Sequence, residues 1–313
     1  MQTVNFNAIE KLDFRTKESY KTLRTNLEFS GRDRKVISVT SCTPNEGKTS
    51  VSFQLALSIA EGGKRVALVD ADLRKSVLKG RYKTNASKYG LSHYLSGQAS
   101  ISDISCNTNI ENFYVIFSGP VPPNPSELLG NDAFRLLLEY LRNEYDYVIV
   151  DTPPLGSVID GAVAARYCDG TVIVVESGAI SYKFAQKVKE QLEKVDCRIL
   201  GVILNKVNMS GKGYYGAYYG KYYGKYYGKY YGNTEEGGLH SVVVQKGLKS
   251  AKTGQKQEER DSFQRDYEEK IVNKMEDGLA MTTETADDYR RLADEESIIA
   301  LDMVQLDRKS TRL

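Results

Sequence analysis

Short apolar runs alternate with amphipathic stretches from residue 35 to about residue 207. The runs are continuously apolar, as buried parallel strands are when helices cover both faces of a sheet. Helix-like stretches at 47–62, 126–142 and 181–195 lie between several of them. The pattern predicts an α/β domain built on a doubly wound, mostly parallel sheet. The predicted strands are KVISVT, RVALVDAD, FYVIFS, YDYVIVD, TVIVVE and RILGVILN.

The segments that flank this domain have different patterns. Before it, residues 13–29 place Phe14, Leu23 and Leu27 among dense charges, which indicates an amphipathic helix. After it the strand pattern stops, and only residues 287–306 have a helix-like pattern, with weak caps. The predicted division of the chain is an N-terminal helical segment (1–30), the α/β domain (31–210), a tyrosine-rich run (211–232) and an acidic tail that is partly helical or disordered (233–313).

The tyrosine-rich run, GYYGAYYGKYYGKYYGKYYG at 213–232, repeats two tyrosines, a glycine and a spacer that is usually lysine. A glycine in each turn disfavours a helix, at a cost of about 1 kcal/mol relative to alanine. In a strand, glycine and tyrosine would alternate along one face and leave half of that face without packing. The run is therefore predicted to be a flexible low-complexity segment.

Composition and charge narrow the class of protein. With 313 residues, of which 41% are hydrophobic and 27% charged, the chain can bury a sizeable core in one large domain, or in one domain with an appendage. The net charge of +2 combines +7 over residues 1–232 with −5 over residues 233–313, where 13 Lys and Arg oppose 18 Asp and Glu. The basic excess is diffuse and has no RNA-binding signature, so nucleic acid is not an expected partner.

The distribution of cysteines and the composition of the N-terminus indicate the cellular compartment of the protein. The four cysteines are scattered, without a C-x-x-C pair or a histidine cluster, so neither a zinc site nor a disulfide framework is implied. The N-terminus lacks the apolar core of a signal peptide, and no run approaches the roughly 18 apolar residues of a membrane span. We expect a cytoplasmic protein that reaches a membrane only through a partner.

The strongest chemical signal is the stretch VISVTSCTPNEGKTS, residues 36–50. An apolar strand runs into a loop that ends in Gly47, Lys48 and Thr49 and continues into a helix pattern. Backbone N–H groups of such a loop can wrap phosphates, while the lysine neutralises the outer phosphates and the threonine hydroxyl holds Mg²⁺. Cys42 replaces the usual first glycine, so this is a variant P-loop of the deviant Walker A type. The predicted nucleotide-binding residues of the loop are Thr43, Pro44, Asn45, Glu46, Gly47, Lys48, Thr49 and Ser50.

Carboxylates follow two of the predicted strands. VALVDADLR ends a strand in Asp70 and Asp72, and YVIVDTPP ends another in Asp151. Taken singly, an aspartate at a strand end is more often a helix cap or a turn former. Together with the phosphate loop, the three aspartates predict one site in which an ion that bridges phosphates is held.

The motifs, in their order, resemble those of the bacterial tyrosine kinases that control capsule and exopolysaccharide synthesis. The resemblance covers residues 13 to about 232, and the family implies a P-loop NTPase fold, ATP and Mg²⁺ as cofactors, and transfer of phosphate to tyrosine. The motifs that carry it are TPNEGKT, VALVDADLR, GLSHYLSG, SGPVPPNPSELL, VIVDTPP and the tyrosine cluster.

The resemblance assigns roles to the residues of the site. It places Lys48 on the β- and γ-phosphates, and Thr49, Asp70 and Asp151 at the magnesium. Asp70 and Asp72 together supply a metal partner and a base toward the tyrosine hydroxyl, and which of the two takes the proton stays open. Lys48 and the three aspartates are the predicted catalytic residues. A further position of the family motif, Asn205, corresponds to a residue near the base of the nucleotide in related ATPases.

The resemblance also gives the tyrosine run a purpose, as an acceptor that enters the active site of a neighbouring subunit. The family implies a ring, and ESYKTLR matches its E-x-x-R-x-x-R subunit-contact motif at Glu18 and Arg24, with Lys21 in place of the central arginine. A membrane-anchored activator and a cognate phosphotyrosine phosphatase are the other partners it implies. The predicted acceptors are Tyr214, Tyr215, Tyr218, Tyr219, Tyr222, Tyr223, Tyr226, Tyr227, Tyr230 and Tyr231.

Two other interpretations remain. A partner-switching ATPase of the kind that positions chromosomes and division sites shares the fold and the acidic motifs, but it carries a second lysine where this chain has Thr43, and it lacks a tyrosine cluster. A structural module would use the aromatic run for assembly and merely bind nucleotide. The acidic tail of residues 233–313 departs from the kinases, which usually end soon after the tyrosines, and we interpret it as a solvated extension.

Overall fold

The computed structural model describes residues 2–31, 33–85, 87–207 and 301–304. Within these ranges the chain alternates between strands and helices, as its pattern of apolar runs predicts. The strands are β1 (Gln2–Val4), β2 (Val36–Ser41), β3 (Val66–Asp70), β4 (Ser105–Thr108), β5 (Phe113–Ile116), β6 (Tyr147–Asp151), β7 (Gly170–Glu176), β8 (Ile199–Asn205) and β9 (Leu301–Val304). The helices are α1 (Phe14–Phe29), α2 (Lys48–Glu61), α3 (Leu78–Arg81), α4 (Leu91–Leu95), α5 (Ile101–Ile104), α6 (Pro125–Leu129), α7 (Asp132–Glu144), α8 (Asp160–Ala165) and α9 (Tyr182–Glu193).

One sheet runs through the described residues, with its strands in the order β1-β4-β5-β3-β6-β2-β7-β8-β9. All neighbouring strands are parallel except β4 and β5. The six predicted strands correspond to β2, β3, β5, β6, β7 and β8. The mostly parallel α/β sheet predicted from the apolar runs is therefore confirmed.

Helices cover both faces of the sheet, because successive strand residues point to opposite sides. On one face, Ile37 and Val39 of β2 pack in a core with buried residues of α1 and α2. On the other face, Val148 and Val150 of β6 pack in a core with residues of α4, α7 and α8. This arrangement explains why the strands are apolar along their whole length.

Helix α1 forms where the amphipathic pattern predicts it. Its N-cap, Asp13, accepts a hydrogen bond from the Thr16 N–H at 3.0 Å. Leu23 and Leu27 are buried as expected, and Tyr20 completes their face. Phe14 differs, since it is the first helical residue and lies 59% exposed.

The predicted helix at 126–142 is two helices, α6 and α7. Helix α6 ends at its C-cap, Gly130. Asn131 then caps α7 by accepting a hydrogen bond from the Phe134 N–H at 3.0 Å. A glycine followed by an asparagine supplies the stop and start signals of two helices. The SGPVPPNPSELL segment therefore ends as a separate short helix.

The expected helix at 287–306 is wrong for residues 301–304, which form strand β9 parallel to β8. The open edge of β8 offers unpaired N–H and C=O groups, and pairing with them outweighs the helix-like pattern of the sequence. The tyrosine run and the remainder of the acidic tail lie outside the described residues, as do the predictions of flexibility made for them. No helix of the described part is long and apolar enough to cross a membrane.

Candidate active site

The phosphate loop connects the end of β2 to the start of α2. Gly47 has φ +94°, and Asn45 has φ +69°, in the left-handed region that asparagine tolerates better than most residues. Gly47 is the N-cap of α2 and provides no side-chain hydrogen bond to its first turn. The backbone N–H groups at this end of a 14-residue helix therefore favour an anion.

The sheet brings two of the predicted aspartates side by side. β3 and β6 are parallel neighbours, and Asp70 stands opposite Asp151 in their register. β6 also neighbours β2, so the phosphate loop leaves the sheet at the same edge. Strand order thus gathers residues from three separate stretches of sequence at the carboxyl ends of parallel strands, where ligands bind in such folds.

The Lys48 ammonium group lies among these carboxylates. It is 3.0 Å from Asp72 Oδ2 and 3.7 Å from Asp151 Oδ1, and it donates to Thr49 Oγ1 at 3.3 Å. Burial alone would lower the pKa of Lys48, but the charges of Asp151 and Asp72 raise it above its ordinary value. Lys48 is therefore a buried cation, held by carboxylates at the start of α2.

Asp70 and Asp151 each have one carboxylate oxygen that accepts no hydrogen bond from the described residues. Ser76 hydrogen-bonds to Asp70 Oδ2, and Ser52 donates to Asp151 Oδ1 at 3.2 Å. Asp70 Oδ1 and Asp151 Oδ2 are buried without a hydrogen-bond partner among the described residues. Burial, together with the charge of Asp151, raises the pKa of Asp70 to about 7. Burial also raises the pKa of Asp151, despite the opposing effect of Lys48.

These partnerless oxygens fit a hard divalent cation. Mg²⁺ is usually bound through one or two carboxylates, with water and substrate phosphates completing its shell. Among the described residues, no group of three or more His, Cys, Asp or Glu side chains is placed to hold a metal ion. The Thr49 hydroxyl lies close enough to Asp151 to lower the pKa of that carboxyl, which puts the predicted third protein ligand beside the pair.

Asp72 has a different environment from Asp70. Both of its oxygens are engaged, Oδ2 with the Lys48 ammonium and Oδ1 with the Lys75 N–H at 3.0 Å. The structure thus brings together the four predicted catalytic residues and Thr49.

Glu46 is a component of the loop whose structural role its sequence position does not reveal. Its buried carboxylate accepts hydrogen bonds from the Thr43 N–H, from Thr43 Oγ1 at 2.6 Å and from the Glu176 N–H at 3.2 Å. Burial raises its pKa, although these hydrogen bonds oppose the shift. Glu46 therefore folds the loop back on itself and ties it to the end of β7.

The end of β8 holds the loop from another side. Asn205 donates from Nδ2 to the Glu46 carbonyl at 2.8 Å, and its Oδ1 is buried without a partner among the described residues. Lys206 donates to the Asn45 carbonyl at 2.6 Å and lies 2.8 Å from Glu176 Oε2. Asn205 thus supports the loop directly, while its contact with a nucleotide base stays a prediction.

The remaining predicted residues lie elsewhere or outside the described ranges. Glu18 pairs with Lys21 at 2.6 Å on α1, and Arg24 donates to the Ser58 carbonyl of α2 at 2.6 Å. Their groups are thus engaged within the chain, and their role in a subunit contact stays a prediction. The ten predicted acceptor tyrosines lie outside the described residues.

Comparison with known proteins supports what the fold and site indicate. A family model described as an AAA domain matches residues 34–201, a range that holds the phosphate loop and all three aspartates. The class defined by the fold and the site is therefore a P-loop NTPase.

The relatives narrow this class. Tyrosine-protein kinase CpsD of Streptococcus agalactiae is 45% identical over 200 residues, which cover 64% of this chain and 87% of that protein. Tyrosine-protein kinase YwqD of Bacillus subtilis is 38% identical over 204 residues, covering 64% and 86%. The solved kinase domain of the Escherichia coli tyrosine kinase ETK matches with a TM-score of 0.60 and 37% identity, covering 64% of this chain and 78% of that one. The chain belongs to the bacterial tyrosine-protein kinase family.

Proposed function

We propose that this chain is an ATP-dependent protein-tyrosine kinase that phosphorylates the tyrosine run of a neighbouring copy and so regulates capsular or exopolysaccharide polymerisation and export. One observation carries the proposal. The buried Lys48 ammonium group at the start of α2 is held by Asp72 and Asp151, beside one oxygen each of Asp70 and Asp151 that has no hydrogen-bond partner in the described part of the chain. The relatives named as tyrosine-protein kinases support the same reaction.

In this proposal the phosphate loop and Lys48 bind the triphosphate. The N–H groups at the start of α2 bind its inner oxygens, and Lys48 moves from Asp72 toward the β- and γ-phosphates. Thr49, Asp70 and Asp151 would hold Mg²⁺, which would supply neutralisation of the phosphate charge. Most of the rate acceleration then comes from positioning and electrostatics.

The transfer step joins the tyrosine oxygen to the γ-phosphorus. The bond from that phosphorus to the bridging oxygen breaks, and its electron pair leaves with ADP. A tyrosine hydroxyl has a pKa near about 10, so a carboxylate must take its proton as the new bond forms. We assign this role to the pair Asp70 and Asp72. Lys48 neutralises the charge that develops on the leaving oxygen.

The tyrosine run is the proposed acceptor, and its phosphorylation is a charge switch. Each phosphate adds about −1.5 to −2 charge units, so a fully modified run of ten tyrosines changes from weakly basic to strongly acidic. We propose that unmodified chains form a ring through Glu18, Lys21 and Arg24, and that the added charge separates the subunits. A membrane-anchored activator that recruits the chain to the inner face of the plasma membrane, and a phosphotyrosine phosphatase, complete the proposed cycle.

The proposal is tested by phosphotyrosine blotting and phosphopeptide mapping after incubation with Mg-ATP. Because Lys48 is the central cation of the site, Lys48→Met should lower phosphotyrosine formation by at least about 100-fold. The exposed Lys64 provides the control, since Lys64→Met removes the same charge from the surface and should leave the signal unchanged. Equal signal from all three proteins would contradict the kinase assignment and favour a nucleotide-binding module.

Transfer between copies needs a separate arm. A Lys48→Met chain that keeps its tyrosines is mixed with an active chain in which the ten acceptor tyrosines are replaced by phenylalanine. We expect phosphate on the Lys48→Met chain, because only that chain offers the acceptor run.

The proposed ring is tested on the wild-type chain. Light scattering before and after incubation with Mg-ATP should show a loss of mass of the assembly, and an unchanged mass would exclude the ring switch.

A further inference from the structure

The SGPVPPNPSELL segment contains a serine side chain that contacts two distant parts of the chain. Ser126, in α6, donates a hydrogen bond to Asp160 Oδ1 at 2.7 Å and accepts one from Arg74 Nη2 at 3.2 Å. Asp160 begins α8, and Arg74 belongs to the VALVDADLR motif. Two motifs and the start of α8, which are separate in sequence, therefore meet in one hydrogen-bonded group, here called the Arg74 triad (Arg74, Ser126 and Asp160).

Asp160 is the centre of the triad. Its side chain is fully buried, and the Arg74 guanidinium binds it in a bidentate manner, with Nε 2.7 Å from Oδ2 and Nη2 3.0 Å from Oδ1. Burial alone would raise the pKa of Asp160, but the hydrogen bonds from Arg74 and Ser126 lower it. Both oxygens are engaged, in the geometry that makes arginine–carboxylate pairs strong and directional.

Arg74 is one of several anchors on the loop that carries the acidic motif. Within residues 70–76, Ser76 hydrogen-bonds to Asp70, and the Lys75 N–H donates to Asp72. Leu73 is buried in the core on the α7 face of the sheet. The Arg74 anchor differs from the two hydrogen bonds within the loop, because it fixes the loop to α6 and α8.

Only the carboxylate of this ion pair is buried, since the Arg74 side chain is 42% exposed. Such a pair is a weak means of gaining stability, because desolvation of the carboxylate offsets most of the attraction. Its geometric precision has more value where a neighbouring group must be held in place. Phosphoryl transfer depends on alignment, and a displacement of about 1 Å can reduce its rate about 100-fold. Asp72 is two residues from Arg74, and Asp70 ends the strand from which the loop departs.

We propose that the Arg74 triad positions Asp70 and Asp72 for the reaction, so that Ser126 and Asp160 are positioning residues of a site they do not themselves line. This inference rests on the proposed kinase function for its catalytic consequence. It assigns a role to the SGPVPPNPSELL segment, which otherwise has no part in the reaction. A distorted loop should impair Mg²⁺ binding and transfer, while leaving metal-free nucleotide binding intact.

The experiment compares Asp160→Asn, Ser126→Ala and Arg74→Lys with the wild-type chain. We expect kcat for phosphotyrosine formation to fall about tenfold or more in Asp160→Asn, and the Mg²⁺ concentration for half-maximal nucleotide binding to rise several-fold. Binding of fluorescent ADP in chelator should stay within about twofold of wild type, because the phosphate loop is untouched. Ser126→Ala should move both readouts in the same direction by a smaller factor, as should Arg74→Lys.

Asp132→Asn is the matched control, because Asp132 pairs with Arg135 at 3.2 Å on the surface of α7. It removes one carboxylate charge from an exposed ion pair and should change neither kcat nor the Mg²⁺ requirement. If Asp160→Asn does not fold, Ser126→Ala, which removes two hydrogen bonds and one oxygen atom, carries the test.

Folded variants with wild-type kcat and wild-type Mg²⁺ requirement would overturn the inference and reduce the triad to a packing element. Non-additive effects would strengthen it, with the Asp160→Asn/Ser126→Ala double variant no worse than Asp160→Asn alone. The two proposals fail in different ways. If the wild-type chain makes no phosphotyrosine, the kinase proposal fails, and the Mg²⁺ dependence of nucleotide binding still decides the role of the triad.

Discussion

Asp70 and Asp151 are buried as deeply as Asp160, but their surroundings differ. Asp70 and Asp151 face each other across neighbouring strands, and each keeps one oxygen without a partner among the described residues. Both oxygens of Asp160 are engaged by Arg74 and Ser126. The pKa values follow these surroundings, since that of Asp70 is raised and that of Asp160 is lowered.

The contrast shows how a ligand site differs from a scaffold when both are built from buried acids. When both oxygens of a buried carboxylate accept hydrogen bonds, the donors stabilise its charged form within the fold. Where two buried carboxylates lie together and each has an oxygen that accepts no hydrogen bond from the described residues, their charged forms are destabilised. Binding of a cation relieves this destabilisation, so the folded chain favours metal binding. Variants at Asp70 and Asp160 should therefore change stability in opposite directions.

The largest expected effect is on activity at the pair. Asp70→Asn should lower phosphotyrosine formation by at least about 100-fold, because a proposed magnesium ligand is lost. In metal-free buffer its melting temperature should stay level or rise, because a buried repulsion is removed. Calorimetry and phosphotyrosine blotting on the same preparation test both expectations. A variant that melts lower but remains active would reverse the assignment of Asp70.

Asp160→Asn should have the opposite effect on stability. The Asp160 carboxylate is fully buried, but the Arg74 side chain is 42% exposed and can turn to water. Asp160→Asn therefore removes the charge-assisted hydrogen bonds from Arg74 without leaving a buried charge, so we expect the free energy of unfolding to fall by about 2 kcal/mol. Denaturant unfolding of the nucleotide-free protein measures the change. The exposed pair gives the control, since Asp132→Asn should shift stability by no more than about 0.5 kcal/mol. If Asp160→Asn and Asp132→Asn changed the free energy of unfolding equally, the Arg74–Asp160 pair would stabilise the fold no more than an exposed surface pair does.

The pH dependence sharpens the comparison further. The pKa of Asp70 is about 7 in the folded chain, against about 3.9 when unfolded. The cost of its charge is therefore present above pH 7 and is relieved as the pH falls toward 4. In chelator, the stability advantage of Asp70→Asn over wild type should be largest near pH 8 and shrink by pH 5.5. An advantage that does not change with pH would show that repulsion is not its cause.

Ser126→Ala should give the smallest change. It removes one hydrogen bond to Asp160 and one from Arg74 but leaves the ion pair, so the free energy of unfolding should fall by about 1 kcal/mol. Unfolding in denaturant resolves a change of this size. A loss as large as that of Asp160→Asn would mean that the hydroxyl, rather than the guanidinium, holds the carboxylate.

Much of the fold follows from local patterns that a single sequence contains. The apolar runs identified β2, β3 and β5 to β8, and the GKT ending identified the phosphate loop. The split between α6 and α7 depends on Gly130 and Asn131, within an otherwise continuous helical pattern. The short strands β1 and β4, QTV and SCNT, are held by their neighbours more than by their own composition.

The candidate site was predictable where its residues lie next to recognisable motifs. Asp70 and Asp151 each end an apolar run, Lys48 belongs to the GKT ending of the loop that follows another, and strand order brings the three together. Arg74 and Asp160 are 86 positions apart in the sequence, so no local sequence pattern predicts their contact. The inward orientation of Glu46 is equally hidden, because a glutamate in a polar loop is normally expected to face solvent.

The last described residues before the tyrosine run have a consequence for how that run acts. Asn205 and Lys206 grip the phosphate loop through the carbonyls of Glu46 and Asn45, and the run begins seven residues later at 213. In the sequence, the tyrosine run thus closely follows two residues that support the phosphate loop. Under the proposed transfer between copies, a force on the proposed acceptor run would therefore act on a chain whose residues 205 and 206 support the phosphate loop.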